Sequence, residues 1–259
     1  MYPNRLKERL RNGEVVFGSN LVVPSPYLVG ALLDAAPDFA WIDTEHMPYG
    51  SEALETVPVL LRQRGVAPLI RVAWNDPGLI KKAYDVGAVA VMVPQVNTPE
   101  EAARAVAYAH YYPEGVRGIS PMWTRIAGED WNQVIKTANE ETLLVLQLES
   151  RQAYDALDEI KQVPGIDVLL VGPLDLSATV GTITDTHSRQ VQEIMRDVPR
   201  RLEGTGIVTG TTLADVAEIQ EKVRWGYRLI NVGSIVGYGA QVLRRHLQAL
   251  REDPRGEKR

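Results

Sequence analysis

Two acids stand at matching places in the chain. Glu149 follows the apolar run of LLVLQLES, and Asp175 follows that of DVLLVGPLDLS. A short apolar run bounded by turn residues reads as a fully buried strand. The two acids are 26 residues apart. That is close to the strand–helix repeat of roughly 31 residues in a barrel that builds eight such units from about 250 residues. Carboxylates at the same ends of adjacent parallel strands point into one mouth, where they suit a hard divalent cation. Other polar residues fall at comparable strand ends: Asp43, Glu45 and His46 after FAWID, Arg71 in APLIRVA, and Gln147 beside Glu149. Gly172 and Pro173 lead into Asp175. One base, one cation and two carboxylates thus converge from four strands.

Each residue taken singly has a plainer reading. A lone histidine is more often structural, Arg71 can neutralise buried acids, Glu149 can cap a helix, and Asp175 can make an Asx turn. Equivalent ends of adjacent strands make a shared cation the better joint reading for the two acids. Absences narrow the chemistry further. The chain has no cysteine, which excludes thiolate nucleophiles, disulfides and cysteine metal ligands. No lysine falls at a strand end, so an aldolase working through a Schiff base lacks its amine.

The elements that must position these residues follow from the rest of the pattern. A leading helix over 1–13 closes at Gly13. Strands are predicted over 15–22, 39–43, 67–73, 88–94, 143–149, 167–172, 206–210 and 228–233, with helices between them. Ser51 is the expected N-cap of a helix to Arg64. Asn75 or Asp76 caps the next, with Pro77 in its first turn. Thr98 and Glu101 form a capping-box pattern. The Gly-, Pro- and aromatic-rich segment 110–140 is too long for a simple connection and reads as a functional or interfacial loop. A long polar loop is expected after strand six, up to His187.

Strand–helix alternation implies a parallel sheet, and eight units imply a closed (β/α)8 barrel over residues 1–252, with 253–259 as a tail. The open doubly wound sheet usually has fewer strands and a first turn such as G-x-G-x-x-G, which is absent. Net charge is −5, so no basic field invites nucleic acid. No apolar run suits a membrane, and the first residues lack a signal-peptide core, so a cytoplasmic protein is expected.

The chain resembles the HpcH/HpaI family of class II, metal-dependent 2-oxo acid aldolases. The resemblance rests on WIDTEH (41–46), RVAWNDP (71–77), DVGA (85–88), PEGVRG (113–118), QLES (147–150) and GPLDLSATVG (172–181). It implies that Glu149 and Asp175 bind Mg²⁺, Mn²⁺ or Co²⁺, and that Gln147 contacts the oxo acid. Backbone N–H groups of Leu174 and Asp175, in the Gly172–Pro173 turn, would hold the substrate carboxylate. His46 would be the general base, Arg71 would stabilise the enolate, and Asp85 would raise the basicity of the histidine. The strand alternation instead puts Asp85 at the far end of its own barrel and Asp43 near His46, so both stay in play.

Two departures stand out: Leu174 where smaller residues are common, and Asn20 where an aromatic is expected. With Ser19 and the 119–130 loop, Asn20 is expected to shape a different aldehyde site. The resemblance also implies a hexamer, with the long loop and Trp123 at an interface or packed on their own barrel.

The expected activity is cleavage or formation of 4-hydroxy-2-oxo acids, giving pyruvate or a close analogue such as hydroxypyruvate plus an aldehyde. An oxaloacetate decarboxylase or another metal-enolate lyase is the second reading. A barrel that binds oxo acids without turnover is the third.

Overall fold

A computed structural model describes residues 3–251. Eight strands run in parallel and close on themselves in chain order: β1 (Val16–Leu21), β2 (Phe39–Asp43), β3 (Ala67–Arg71), β4 (Ala90–Val93), β5 (Leu143–Leu148), β6 (Val168–Val171), β7 (Val208–Thr212) and β8 (Tyr227–Ser234). This is a (β/α)8 barrel in one domain. The expected tail 253–259 lies outside the described residues. Among the described residues, no helix is long and apolar enough to cross a membrane.

Strand alternation divides the side chains into two sets. Val16, Phe39, Trp41, Ala67, Leu69, Ala90, Met92, Leu143, Val145, Val168, Leu170 and Leu229 form one buried cluster inside the barrel. Their neighbours, such as Ile42, Ile70, Val91, Leu144, Leu146 and Leu169, pack against the surrounding helices. Gly18 belongs to the inward set: a Cβ there would fall 2.2 Å from the Phe39 ring. The barrel interior is therefore filled, and only its upper end is free for chemistry.

The lower end is stoppered. Leu6 and Leu10 of the leading helix (Arg5–Arg11) join the inner cluster. Lys7 crosses the floor to Asp167 at 2.9 Å. The described lysines lie on helices or at their ends, none at a strand's C-terminal end.

Several element boundaries differ from expectation. Residues 51–64 form a 3-10 turn (Ser51–Leu54) and a separate helix (Val57–Gln63), not one helix capped by Ser51. Pro58 explains the break, because proline suits a helix's first turn and cannot continue the preceding one. Segment 110–140 is not a plain loop: it holds helices Trp123–Ala127 and Trp131–Glu141, the second capped by Asp130. Trp123 is buried on its own barrel beneath Arg62, whose guanidinium lies 4.0 Å from the ring centre. After β6 a helix (Pro173–Thr179) starts at once, where a polar loop was expected. Thr98 caps its helix as predicted, accepting from the Glu101 N–H, but Glu101 returns to the Asn97 N–H.

Candidate active site at the barrel mouth

The inward parity of the strands carries Asp43, Arg71, Gln147 and Glu149 to the upper end of the barrel. Arg71 is the hub. Its Nε and Nη2 donate to the two oxygens of Asp43, at 2.9 and 2.7 Å. The register makes this pair, since Asp43 and Arg71 are partners on β2 and β3. Nη1 lies 3.0 Å from Glu45 Oε2 and donates at 3.5 Å to Gln147 Oε1. The Glu45 contact is an ion pair without directed hydrogen-bond geometry, so this buried oxygen retains an unmet acceptor. The Trp41 indole supports the guanidinium from one side, 5.1 Å away.

Glu149 is 3% exposed and is held on both oxygens. Gln147 Nε2 donates to Oε1 at 2.6 Å. The Gln95 backbone N–H and Nε2 both donate to Oε2, at 3.1 and 3.2 Å. Gly172 is the other wall of this cradle: a Cβ there would lie 2.9 Å from Glu149 Oε1. Asp175 sits in the first turn of the helix Pro173–Thr179, on the next strand's exit. Leu174 and Asp175 precede that helix's first bond, from the Leu176 N–H to the Gly172 carbonyl, so their N–H groups face outward unclaimed by the helix.

Charge at the mouth is unbalanced. Burial pushes Glu149 up to about 7, and the charges of Asp175 and Glu45 push the same way, against the Gln95 N–H and Arg71. Glu45 is raised mainly by burial, with Asp43 and Asp175 adding to it. Burial also raises Asp43, but the hydrogen bonds and charge of Arg71 more than offset this and hold it below its ordinary value. Asp43, Glu45 and Glu149 thus share one guanidinium, and the charge of Asp175 adds to the repulsion on Glu45 and Glu149. A further cation is what such a cluster needs to stay ionised. The donors are all hard oxygens, which suits Mg²⁺ or Mn²⁺. Among the described residues no three His, Cys, Asp or Glu side chains enclose a common point. Two carboxylates, with the rest of the ion's shell left to substrate and water, is the usual habit of Mg²⁺.

His46 lies beyond β2 with its side chain 61% exposed. Its Nε2 is 3.6 Å from Glu45 Oε2. Asp43 accepts its backbone N–H at 3.4 Å, so Glu45, not Asp43, faces the imidazole. Asp85 is not brought to His46 within the chain. It ends the helix Pro77–Asp85, which returns to the strands' lower end, where the Val89 N–H bonds the Pro68 carbonyl at the foot of β3. There burial holds Asp85 up at about 6, Arg117 and Lys81 draw it down, and one carboxylate oxygen is buried without a partner.

Gln95 is a residue that sequence reasoning missed. It sits just past β4 with φ +55, in the left-handed region that non-glycine residues seldom adopt. The strain aims both of its donors at Glu149. Partners that orient a metal ligand are typically worth 10–100-fold in affinity. With Glu149 as a ligand of the ion, as proposed below, Gln95→Leu is expected to weaken Mn²⁺ binding roughly tenfold, read by the paramagnetic resonance of free Mn²⁺. Unchanged affinity would show the side-chain bond to be idle.

Comparison with known proteins decides the family. The family model described as HpcH/HpaI aldolase/citrate lyase matches residues 21–238. The chain belongs to this family. It is 33% identical over 251 residues to the hydroxypyruvate/pyruvate aldolase of Roseovarius nubinhibens, covering 96% of this chain and 98% of that protein. It is 31% identical to the 5-keto-4-deoxy-D-glucarate aldolase of Salmonella newport, over 92% of this chain and 93% of that one. A solved HpcH/HpaI aldolase/citrate lyase family protein from Burkholderia cenocepacia superposes with a TM-score of 0.88 at 32% identity, over 96% and 99% of the two chains. This member of the HpcH/HpaI family is a carbon–carbon lyase of the aldolase type.

Proposed function

We propose that this lyase cleaves and forms 4-hydroxy-2-oxo acids, exchanging them with pyruvate or hydroxypyruvate and an aldehyde, with a divalent metal as cofactor. The observation that carries the reading is the mouth itself. Glu149 and Asp175 stand on adjacent strand exits, opposite the Asp43–Arg71 pair, and one exposed histidine overlooks them.

Glu149 and Asp175 hold the ion in this reading. When bound, it supplies the Lewis acidity that stabilises the enolate. The chain's own groups do the rest. The N–H groups of Leu174 and Asp175 receive the substrate carboxylate, beside Gly172 and Pro173. Gln147, set between Arg71 and Glu149, offers its amide to the oxo acid. Arg71 places a fixed charge where negative charge grows, and such a contact is typically worth about 3–4 kcal/mol of barrier. Asp43 keeps that guanidinium aimed. In cleavage His46 takes the proton of the C4 hydroxyl, the C3–C4 bond breaks, and its electron pair stays with C3 as C4 becomes the aldehyde. A proton delivered to C3 then completes the oxo acid.

Mg²⁺, Mn²⁺ and Co²⁺ are the candidate ions. Incubating the metal-loaded protein with 4-hydroxy-2-oxo acids and with oxaloacetate tests the reading. Pyruvate appearing with an equal amount of aldehyde supports it. Carbon dioxide from oxaloacetate, with no aldehyde from any hydroxy-oxo acid, favours the decarboxylase. Binding of oxo acid without any product favours the silent barrel.

The reading includes a homo-oligomer, a hexamer by resemblance. The C-terminal helix Ile235–Arg251 buries none of its residues, and Val242, Leu243, Leu247 and Leu250 are exposed along it. Phe17, on the outward side of β1, is 40% exposed. Another copy of the chain would cover such a stripe, because a 17-residue helix that buries nothing has little to hold it in place. Leu243→Glu with Leu247→Glu is expected to shift the protein to smaller species in light scattering after size exclusion. An unchanged mass would place the interface elsewhere.

A further inference from the structure

The barrel mouth has two unlike halves. The exits of β2, β3, β5 and β6 carry Asp43, Arg71, Glu149 and the Gly172–Asp175 turn, and hold nearly all its charge. The inward residues of β7, β8 and β1 are neutral and polar: Thr212, Asn231 and Asn20. Their parity is fixed by register. Gly18, whose added Cβ would strike the inward Phe39, pairs with Asn231 on β8, and Asn20 two residues on pairs with Trp41 on β2. Thr212 pairs with Asn231.

This neutral wall holds unmet hydrogen-bonding capacity. Asn231 is 1% exposed and its Nδ2 donates to Thr212 Oγ1 at 2.9 Å, yet its Oδ1 is buried with no partner. Asn20 Oδ1 is buried and unpartnered as well. Trp41 is 4% exposed, and its indole N–H has no acceptor. A buried polar atom without a partner costs about as much as a lost hydrogen bond, and two on this wall, with the indole of Trp41 beside Asn20 on the adjoining β2, imply something that satisfies them. The oxygens need a donor and the indole needs an acceptor. A carboxylate meets only the second need and a methyl group meets neither. A hydroxyl group offers its one O–H to one of the amide oxygens and can also accept from the indole, leaving the other oxygen to water or a second hydroxyl.

We propose that Asn20, Asn231 and the Trp41 indole N–H form a hydroxyl-binding subsite that makes this enzyme select hydroxylated substrates. The inference rests on the aldolase reading and refines it. The charged half takes the oxo-acid head, and the neutral half takes a hydroxyl carried on C3 of the oxo acid or on C2 of the aldehyde. Ser19, the other residue expected to shape this site, is not part of the subsite. It alternates outward and donates to the Gly233 carbonyl at 3.0 Å.

Pairs of substrates that differ only by hydroxyl against methyl test the proposal on the Mn²⁺-loaded full chain. Hydroxypyruvate against 2-oxobutanoate, compared by calorimetric binding, probes the oxo-acid source. Glycolaldehyde against propanal, compared by kcat/KM with pyruvate, probes the aldehyde source. The wild type is expected to prefer the hydroxylated member of at least one pair by roughly tenfold, the value of one well-made buried hydrogen bond. The pair that shows the preference identifies the source. Asn231→Leu and Asn20→Leu are each expected to bring that ratio close to one while Mn²⁺ affinity holds. Where Asn231→Leu fails to fold, Asn20→Leu, nearer the rim, carries the test. No preference in the wild type, or a preference that survives both substitutions, would mean that ordered water alone fills the wall, and would overturn the proposal. A protein that binds hydroxypyruvate selectively yet never turns over would keep the subsite and defeat the aldolase reading.

Discussion

Glu149→Gln is expected to weaken Mn²⁺ binding by at least about a hundredfold, beyond what loss of an orienting partner costs. The substitution keeps the shape of the side chain and removes its charge. The same carboxylate gives the wild type a pH signature. Metal-free Glu149 is held at about 7 by burial and by its acidic neighbours. A proton must therefore leave before an ion enters. Affinity should level off above about pH 8 and fall by up to about tenfold per unit as pH drops below about 7.

The sign for stability runs the other way. A carboxyl raised in the folded state favours folding when protonated, and that contribution is lost as pH rises through about 7. Metal-free Glu149→Gln should therefore melt no lower than the metal-free wild type at pH 8. Titration of Mn²⁺ across pH 5.5–8.5, with melting curves at each end, measures both. Wild-type affinity in Glu149→Gln would remove this residue from the metal site.

His46→Ala is expected to lower kcat for aldol cleavage by roughly 10²–10⁴-fold, the range for loss of a positioned proton acceptor. Mn²⁺ affinity should stay within a few-fold, because the imidazole stands outside the carboxylate cradle with its side chain 61% exposed. Parallel measurement of kcat and of Mn²⁺ binding separates the two roles. Wild-type turnover in His46→Ala would assign the base elsewhere, with Glu45, 3.6 Å from the imidazole, as the next group to test.

Much of the barrel was legible because its strands are continuous apolar runs. β2 appears at its predicted bounds, and the other strands lie within a few residues of theirs. The acids, Arg71 and Gln147 were legible from type and position, since the C-terminal end of a barrel strand is where inward parity meets open space. Misses came where a competing local signal or a distant partner decided. Pro58 broke a helix that Ser51 was expected to start. The Gly- and Pro-rich beginning of 110–140 masked the helix Trp131–Glu141, though Asp130, Val134 and Ala138 carry its cap and buried side. Gln95 could not be read at all, because its role needs a positive φ and a carboxylate from another strand. Asn20 stood out by type, but Asn231 gained meaning only when β8 and β1 were paired.

The measurement that bears most directly on the central claim is exchange of pyruvate methyl protons for deuterium, followed by NMR, first without metal and then with Mg²⁺, Mn²⁺ or Co²⁺. Exchange that appears only with metal, and that disappears in Glu149→Gln, is the predicted result: the mouth makes the enolate. No exchange with any of the three ions in the folded protein, or equal exchange without metal, would contradict it.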